Sequence, residues 1–204
     1  MGLTAVRRAV EALQAGGLAV VPTDTVYGLV GRGDSEEVAR ELYRAKGRSA
    51  VQPTAALFAS VELLADRLPD LTDDAMRVVR ALLPGPVTLV LPNSGRHYSW
   101  LNVERPETIG VRVPDLVGPG RDVLDALGVL VATSANLSGG PDPRRLEDVP
   151  HELLAAVAAV VDGGELPGTP STVIDLTTDE PRVLREGAVL AHEALARARA
   201  ARDA

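Results

Sequence analysis

Short apolar runs of strand length alternate along this chain with stretches of helical spacing, and that alternation excludes most folds at the outset. Residues 18–21, Leu-Ala-Val-Val, form a compact apolar run ended by Pro22. Residues 87–91, 108–113 and 129–132 are apolar and mostly β-branched, which suits a pleated, buried strand. Residues 54–59, 156–161, 171–176 and 182–185 are further strand candidates. Between them, residues 5–15 place Val6, Ala9, Val10 and Leu13 on one helical face and stop at Gly16-Gly17. Ser35, followed by Glu36 and Glu37, caps a helix that runs through Tyr43. Residues 60–67, 72–83, 119–127 and 192–202 supply the remaining helices. No repeat and no long linker interrupts the pattern. The expected class is α/β: a single domain over residues 1–204 with a twisted open mixed sheet flanked by helices. Its core spans about residues 5–190, with 191–204 as a C-terminal helical tail.

Composition narrows the chemistry. With 2% aromatic residues, the core has to be built from Val, Leu and Ala. Cysteine is absent, which removes disulfides, thiolate metal ligands and cysteine nucleophiles together. His97, His151 and His192 lie far apart and in no zinc-type spacing, so no tightly bound protein metal site is expected. No apolar run approaches the ~20 residues of a membrane span, and residues 1–8 do not lead into a signal-peptide core. The reading is cytoplasmic, with no membrane partner. A net charge of −7 argues against a protein whose main task is coating nucleic acid, but it suits a small cationic pocket in an acidic exterior.

Of the 21 basic residues only Lys46 is a lysine, and it sits in Arg44-Ala45-Lys46-Gly47-Arg48. A compact ammonium beside a planar guanidinium suits a phosphate chain; the plainer reading is a leftover surface lysine. If the backbone there is extended, positions 46 and 48 point the same way. This is one of four polar segments expected to follow apolar strands, where ligand sites of open α/β sheets gather. The first is Pro22-Thr23-Asp24-Thr25-Val26-Tyr27-Gly28-Leu29, a hydroxyl-rich loop that binds a polar ligand or merely closes a turn. Another, Thr133-Ser134-Ala135-Asn136-Leu137-Ser138-Gly139-Gly140, can bring backbone N–H groups close to phosphate oxygens. It is neither a Walker A loop nor a GxGxxG, and without an elbow motif or a base Ser134 does not read as a nucleophile. The last is Gly168-Thr169-Pro170-Ser171-Thr172-Val173-Ile174-Asp175, with Arg185 beyond it. Arg112 stands inside an apolar strand and needs a partner: a buried acid, or a ligand carboxylate.

Together with Leu83-Pro84-Gly85-Pro86-Val87-Thr88-Leu89 and residues 108–114, these segments resemble the threonylcarbamoyl-AMP synthase family of the YrdC type. The resemblance runs from about residue 16 to residue 189. It implies that L-threonine, bicarbonate and ATP give L-threonylcarbamoyl-adenylate, pyrophosphate and water. That product serves the N6-threonylcarbamoyl modification of adenosine 37 in tRNA. Mg²⁺ is expected with the ATP, and tRNA or other proteins of the pathway are candidate partners. By matching position, Lys46 and Arg48 would be catalytic, holding the phosphates and the carbamate. Arg112 would grip threonine's carboxylate, with Thr25, Thr133 and Ser171 around the amine and side chain. Thr108, Ser134, Ala135, Asn136 and Arg185 would contact the nucleotide. The resemblance is to short members of the family, without the extra C-terminal domain of longer ones.

The chain departs from the family pattern at Ser49 in place of a proline, Thr54 in place of a leucine, Leu57 where some members carry a histidine, and Val30 where glycine is common. Two rival readings are a paralogue that binds nucleotide or RNA without this synthase activity, and a non-enzymatic RNA-binding module. Scarce aromatics and the acidic balance fit the latter poorly.

Overall fold

A computed structural model describes residues 2–47 and 54–203. The described residues form one nine-stranded mixed sheet with helices on both faces. In chain order the elements are α1 (Gly2–Gln14), β1 (Ala19–Pro22), β2 (Tyr27–Arg32), α2 (Glu36–Ala45), β3 (Ala55–Phe58), α3 (Val61–Arg67), α4 (Asp73–Leu82) and β4 (Val87–Pro92). They continue with β5 (Thr108–Arg112), α5 (Pro119–Leu127), β6 (Val129–Ser134), α6 (His151–Ala156), β7 (Ala159–Val160), β8 (Thr172–Asp175), β9 (Arg182–Arg185) and α7 (Ala191–Arg202). The strand order across the sheet is β7-β1-β2-β6-β3-β5-β4-β8-β9. Three helices start on side-chain caps: Ser35, Ser60 and Thr72 accept from the backbone N–H of Val38, Leu63 and Ala75.

One face of the sheet packs under α2, α3, α4, α6 and α7, around buried residues such as Leu42, Phe58, Val79, Leu89, Ile109 and Leu153. The helix expected as a tail belongs to this core: Ala194 and Ala198 of α7 are fully buried. The other face is covered by α1 and α5, whose Ala9, Leu13, Val123 and Leu124 pack on β1, β2 and β6. That second cover reaches Leu57 of β3 and stops. The half of the sheet built from β5, β4 and β8 therefore keeps one face bare, and this asymmetry makes room for a site.

Three sequence expectations need correction. Residues 22–29 are not a single loop: β1 and β2 form an antiparallel hairpin in which Pro22 faces Tyr27, so only residues 23–26 turn. Gly28 and Gly31 hid the second strand. At Gly31 a Cβ would come within 2.3 Å of Val38 Cγ1, so the close approach of α2 requires glycine there. Lys46 follows no strand and is not extended; it is the C-cap of α2, and Gly47, at φ +62°, reverses the chain while its N–H donates to Arg44 O. The strand expected over 156–161 shrinks to Ala159–Val160. Pro150 opens α6 instead, accepting from the N–H groups of Leu153 and Leu154, an outcome that a short apolar run leaves open.

Candidate active site

The bare half-sheet floors a cavity of about 450 Å³. Strand alternation picks the floor: Ala132 of β6, Ala55 and Leu57 of β3, Thr108, Gly110 and Arg112 of β5, and Thr88 and Val90 of β4 all point into it. The pairs Ala132–Ala55, Ala55–Gly110 and Gly110–Val90 are in register, so a row of small residues crosses four strands. Polar groups stand on either side of that row.

On one side is Arg112, two residues further along β5. Its Nη2 donates to Thr25 Oγ1 at 3.1 Å and to Asp24 Oδ1. The turn reading of the first polar segment holds here. Thr23 closes the turn through its Oγ1, which donates to Val26 O and accepts from the N–H of Thr25 and Val26, and the same turn presents Asp24 and Thr25 to Arg112. Asp24 is fixed from its other oxygen by the Asp115 N–H at 3.1 Å. Burial pulls the Arg112 pKa down from the usual guanidinium value; Asp24 opposes that shift and Arg185 adds to it. Among the described residues the buried Arg112 Nε–H has no acceptor.

The end of β6 forms a second wall with Thr133 and Ser134. Lys46 grips it from behind. Reaching over from α2, on the opposite face, its Nζ donates to Ser134 O at 2.7 Å, Asn136 Oδ1 at 3.0 Å and Thr133 Oγ1 at 3.1 Å. Lys46 is only 1% exposed, which excludes the surface-lysine reading. Ser134 Oγ donates to the same Asn136 Oδ1 at 2.7 Å, and Asn136 Nδ2 donates to Gly140 O. Ala135 is fully buried, and its N–H donates to Tyr27 O at 2.8 Å.

Opposite stands Ser171. Its hydroxyl lies 2.8 Å from Thr88 Oγ1 and accepts from Arg185 Nη2 at 3.2 Å, while Arg185 also donates to the Ser171 carbonyl at 2.8 Å. Beyond Gly110, Thr108 Oγ1 accepts from Asn102 Nδ2 at 2.7 Å and donates to Arg105 O at 2.9 Å.

Of the residues singled out from sequence, Thr25, Thr108, Arg112, Thr133, Ser134, Ser171 and Arg185 line the cavity. Lys46, Ala135 and Asn136 lie behind the β6 wall. Arg48 and Ser49 lie outside the described residues. Thr54 and Leu57 are on the lining, and the Thr54 hydroxyl is buried without a partner; Val30 is buried in the core under α1 and α5. Sequence reasoning assigned no role to Thr88, Gly110, Asn102, Arg105 or Asp142, which also line the cavity. Alternation from Arg112 would have exposed Gly110. Asn102 and Arg105 sit in an irregular segment with no periodic signal.

A half-covered α/β sheet whose bare strands floor a cavity edged by Arg105, Arg112 and Arg185, with Glu104 and Asp142 also on the wall, defines a class, an α/β domain with a polar cavity of small-molecule size. Within that class the chain belongs to the Sua5/YciO/YrdC family, whose model, described as "Telomere recombination", matches residues 11–187. The chain is 33% identical to the threonylcarbamoyl-AMP synthase of Bacillus subtilis over 82% of its own length and 49% of that protein. It matches the crystal structure of Pyrococcus abyssi Sua5 complexed with L-threonine with a TM-score of 0.79 and 33% identity, covering 89% of this chain and 54% of that one. It matches Escherichia coli YciO with a TM-score of 0.82 and 28% identity over 96% of this chain and 94% of that one. The chain thus spans about half the length of the first curated relatives it matches. Among the described residues, no helix is long and apolar enough to cross a membrane.

Proposed function

We propose that this chain is an L-threonylcarbamoyladenylate synthase acting on L-threonine, bicarbonate and ATP, its product serving tRNA N6-threonylcarbamoyladenosine formation. One observation carries the reading. A single cavity joins the buried guanidinium of Arg112 to the polar side chains of Thr108, Thr133, Ser134 and Ser171 and to Arg185. That is the equipment needed to hold an amino acid and a nucleotide against each other.

Chemically, the threonine amine adds to bicarbonate with loss of water, or to CO₂ with loss of a proton, to give a carbamate, and a carbamate oxygen attacks the α-phosphorus of ATP with pyrophosphate leaving. No covalent enzyme intermediate is required, so positioning and charge neutralisation are the whole task. Arg112 and Thr25 orient the carboxylate of the amino acid, and Ser171 and Thr133 flank its amine and side chain. Arg48 serves the phosphates and the carbamate, and Lys46 supports them with its charge from behind the β6 wall. Through Ser134 O, Asn136 and Thr133, Lys46 also fixes the loop on which the nucleotide lies, with Ala135, Thr108 and Arg185 beside it. Mg²⁺ accompanies ATP as part of the substrate. No group of three His, Asp or Glu side chains placed to hold a metal ion occurs among the described residues, and the wall offers the carboxylates Glu104 and Asp142. One or two carboxylates with the phosphates and water suit Mg²⁺, whose charge would offset that of the phosphates. The site is read as cytoplasmic.

The deciding experiment is pyrophosphate release from ATP with threonine and bicarbonate each omitted in turn. Release that needs both supports the synthase. ATP binding without release identifies instead a paralogue that holds nucleotide without this chemistry, and release with neither substrate overturns the assignment.

A further inference from the structure

We propose that Thr88 is a specificity residue that reads the side-chain hydroxyl of the amino-acid substrate, a role that rests on the synthase reading above. Thr88 belongs to the Pro84-Gly85-Pro86-Val87-Thr88 run, to which the proposed chemistry gives no task. It is partly exposed and lies on the cavity floor, in a strand whose buried positions on the other face are Val87, Leu89 and Leu91.

Its place in the sheet is the first argument. In the antiparallel β4–β5 ladder, Leu89 faces Val111 and Val90 faces Gly110. Thr88 and Arg112 are each one step beyond those pairs, at the same end and on the same face, so they stand on adjacent strands about 4.8 Å apart. In a threonine molecule the hydroxyl is three bonds from the carboxylate carbon. The guanidinium head of Arg112 feels the charge of Arg185, which donates to Ser171 beside Thr88, so a carboxylate at that head and the Thr88–Ser171 pair face the same part of the cavity.

Counting protons is the second. Thr88 and Ser171 together own two hydroxyl protons, and the 2.8 Å contact between them uses one. Arg185 Nη2 only donates to Ser171 Oγ, so it absorbs none. Among the described residues neither hydroxyl has another partner. Whichever of the two donates, one O–H is left over for the cavity, together with free lone pairs. A ligand carboxylate would use the proton alone. A ligand hydroxyl both accepts and donates, and it satisfies the pair completely. A hydroxyl-free side chain would leave that proton unpaired, since the side chains of Val90 and Val173 beside Thr88 offer it no acceptor.

The test compares L-threonine with L-2-aminobutyrate, which lacks the hydroxyl, in wild type, Thr88→Val and Thr88→Ser. Substrate KM and kcat are read from pyrophosphate release. Losing one hydrogen bond in Thr88→Val should raise the threonine KM about 5- to 10-fold, with the ATP KM and the 2-aminobutyrate KM unchanged. Thr88→Ser should behave as wild type, and the preference for threonine over 2-aminobutyrate should collapse only in Thr88→Val. An equal rise for both amino acids, or a raised ATP KM, would mean a structural role and overturn the inference. So would an unchanged threonine KM, which leaves the synthase reading intact. A wild type that releases no threonine-dependent pyrophosphate sinks both.

Discussion

Asp24 and Arg112, 88 residues apart in the chain, share an ion pair at the cavity wall with only 8% and 9% of their side chains exposed. The pair does two things. It compensates a guanidinium that burial disfavours, and it turns that guanidinium so that Nη2 is spent on the protein while Nε is not.

Asp24→Asn should therefore cost about 3 kcal/mol of unfolding free energy, because it strands a buried charge. Arg112→Lys keeps the charge but loses the planar fork, and should raise the threonine KM at least about tenfold with little effect on the ATP KM. Urea unfolding checks the first expectation and substrate titrations the second. If Arg112→Lys has normal threonine kinetics, Arg112 does not hold the carboxylate.

Lys46→Arg tests the lone lysine. A tetrahedral ammonium can meet Thr133 Oγ1, Ser134 O and Asn136 Oδ1 together, whereas a flat guanidinium on a longer stem cannot occupy the same buried point. Turnover should fall by about tenfold or more, since a 1.4 kcal/mol loss of transition-state stabilisation suffices. Turnover equal to wild type would show that the 133–136 loop does not depend on Lys46.

Gly110 separates fold from site. A Cβ built there meets nothing closer than 3.5 Å, so packing does not demand glycine. Gly110→Ala should hold or raise stability by about 0.5–1 kcal/mol, as expected when a mid-strand glycine is replaced. Gly110→Val should fold as well but weaken substrate binding by filling the floor between Arg112 and Thr108. Thermal unfolding beside substrate KM values reads both; a Gly110→Val variant with unchanged KM would place the substrate elsewhere in the cavity.

Asp175 supplies a pH dependence. Burial pushes its carboxyl up, but the Thr177 hydroxyl and N–H and the Arg182 guanidinium outweigh that and hold its pKa below the usual 3.8. A depressed folded-state pKa stabilises the fold fully above the unfolded value and loses that contribution as pH falls through the folded one. Asp175→Asn should be less stable than wild type at pH 6, and the gap should narrow below the ordinary carboxylate range. Denaturant unfolding from pH 6 to pH 3 measures it. A gap independent of pH would mean that the loss comes from packing instead of charge.

Much of the site was legible where a residue broke its local pattern. Arg112 stood out as a charge in an apolar strand, Lys46 as one lysine among arginines, and Thr25 and Ser134 in hydroxyl-dense segments. Thr88 and Gly110 were not, because a threonine and a glycine in a strand offend no pattern until the face they point to is known to be bare.

The sequence alone determined most of the elements: all but β2 and α6, in order and with most of their lengths, and the helix starts at Ser35, Ser60 and Thr72. Periodicity and capping are local, so a few neighbouring residues settle them. Only the tertiary structure decided which strands lie together. The order β7-β1-β2-β6-β3-β5-β4-β8-β9 brings Asp24 to Arg112, Lys46 to Thr133 and Thr88 to Ser171. A short apolar run announces that it wants burial without naming its partner. It was the reach of α1 and α5, ending at Leu57, that left the faces of β5, β4 and β8 open as a cavity.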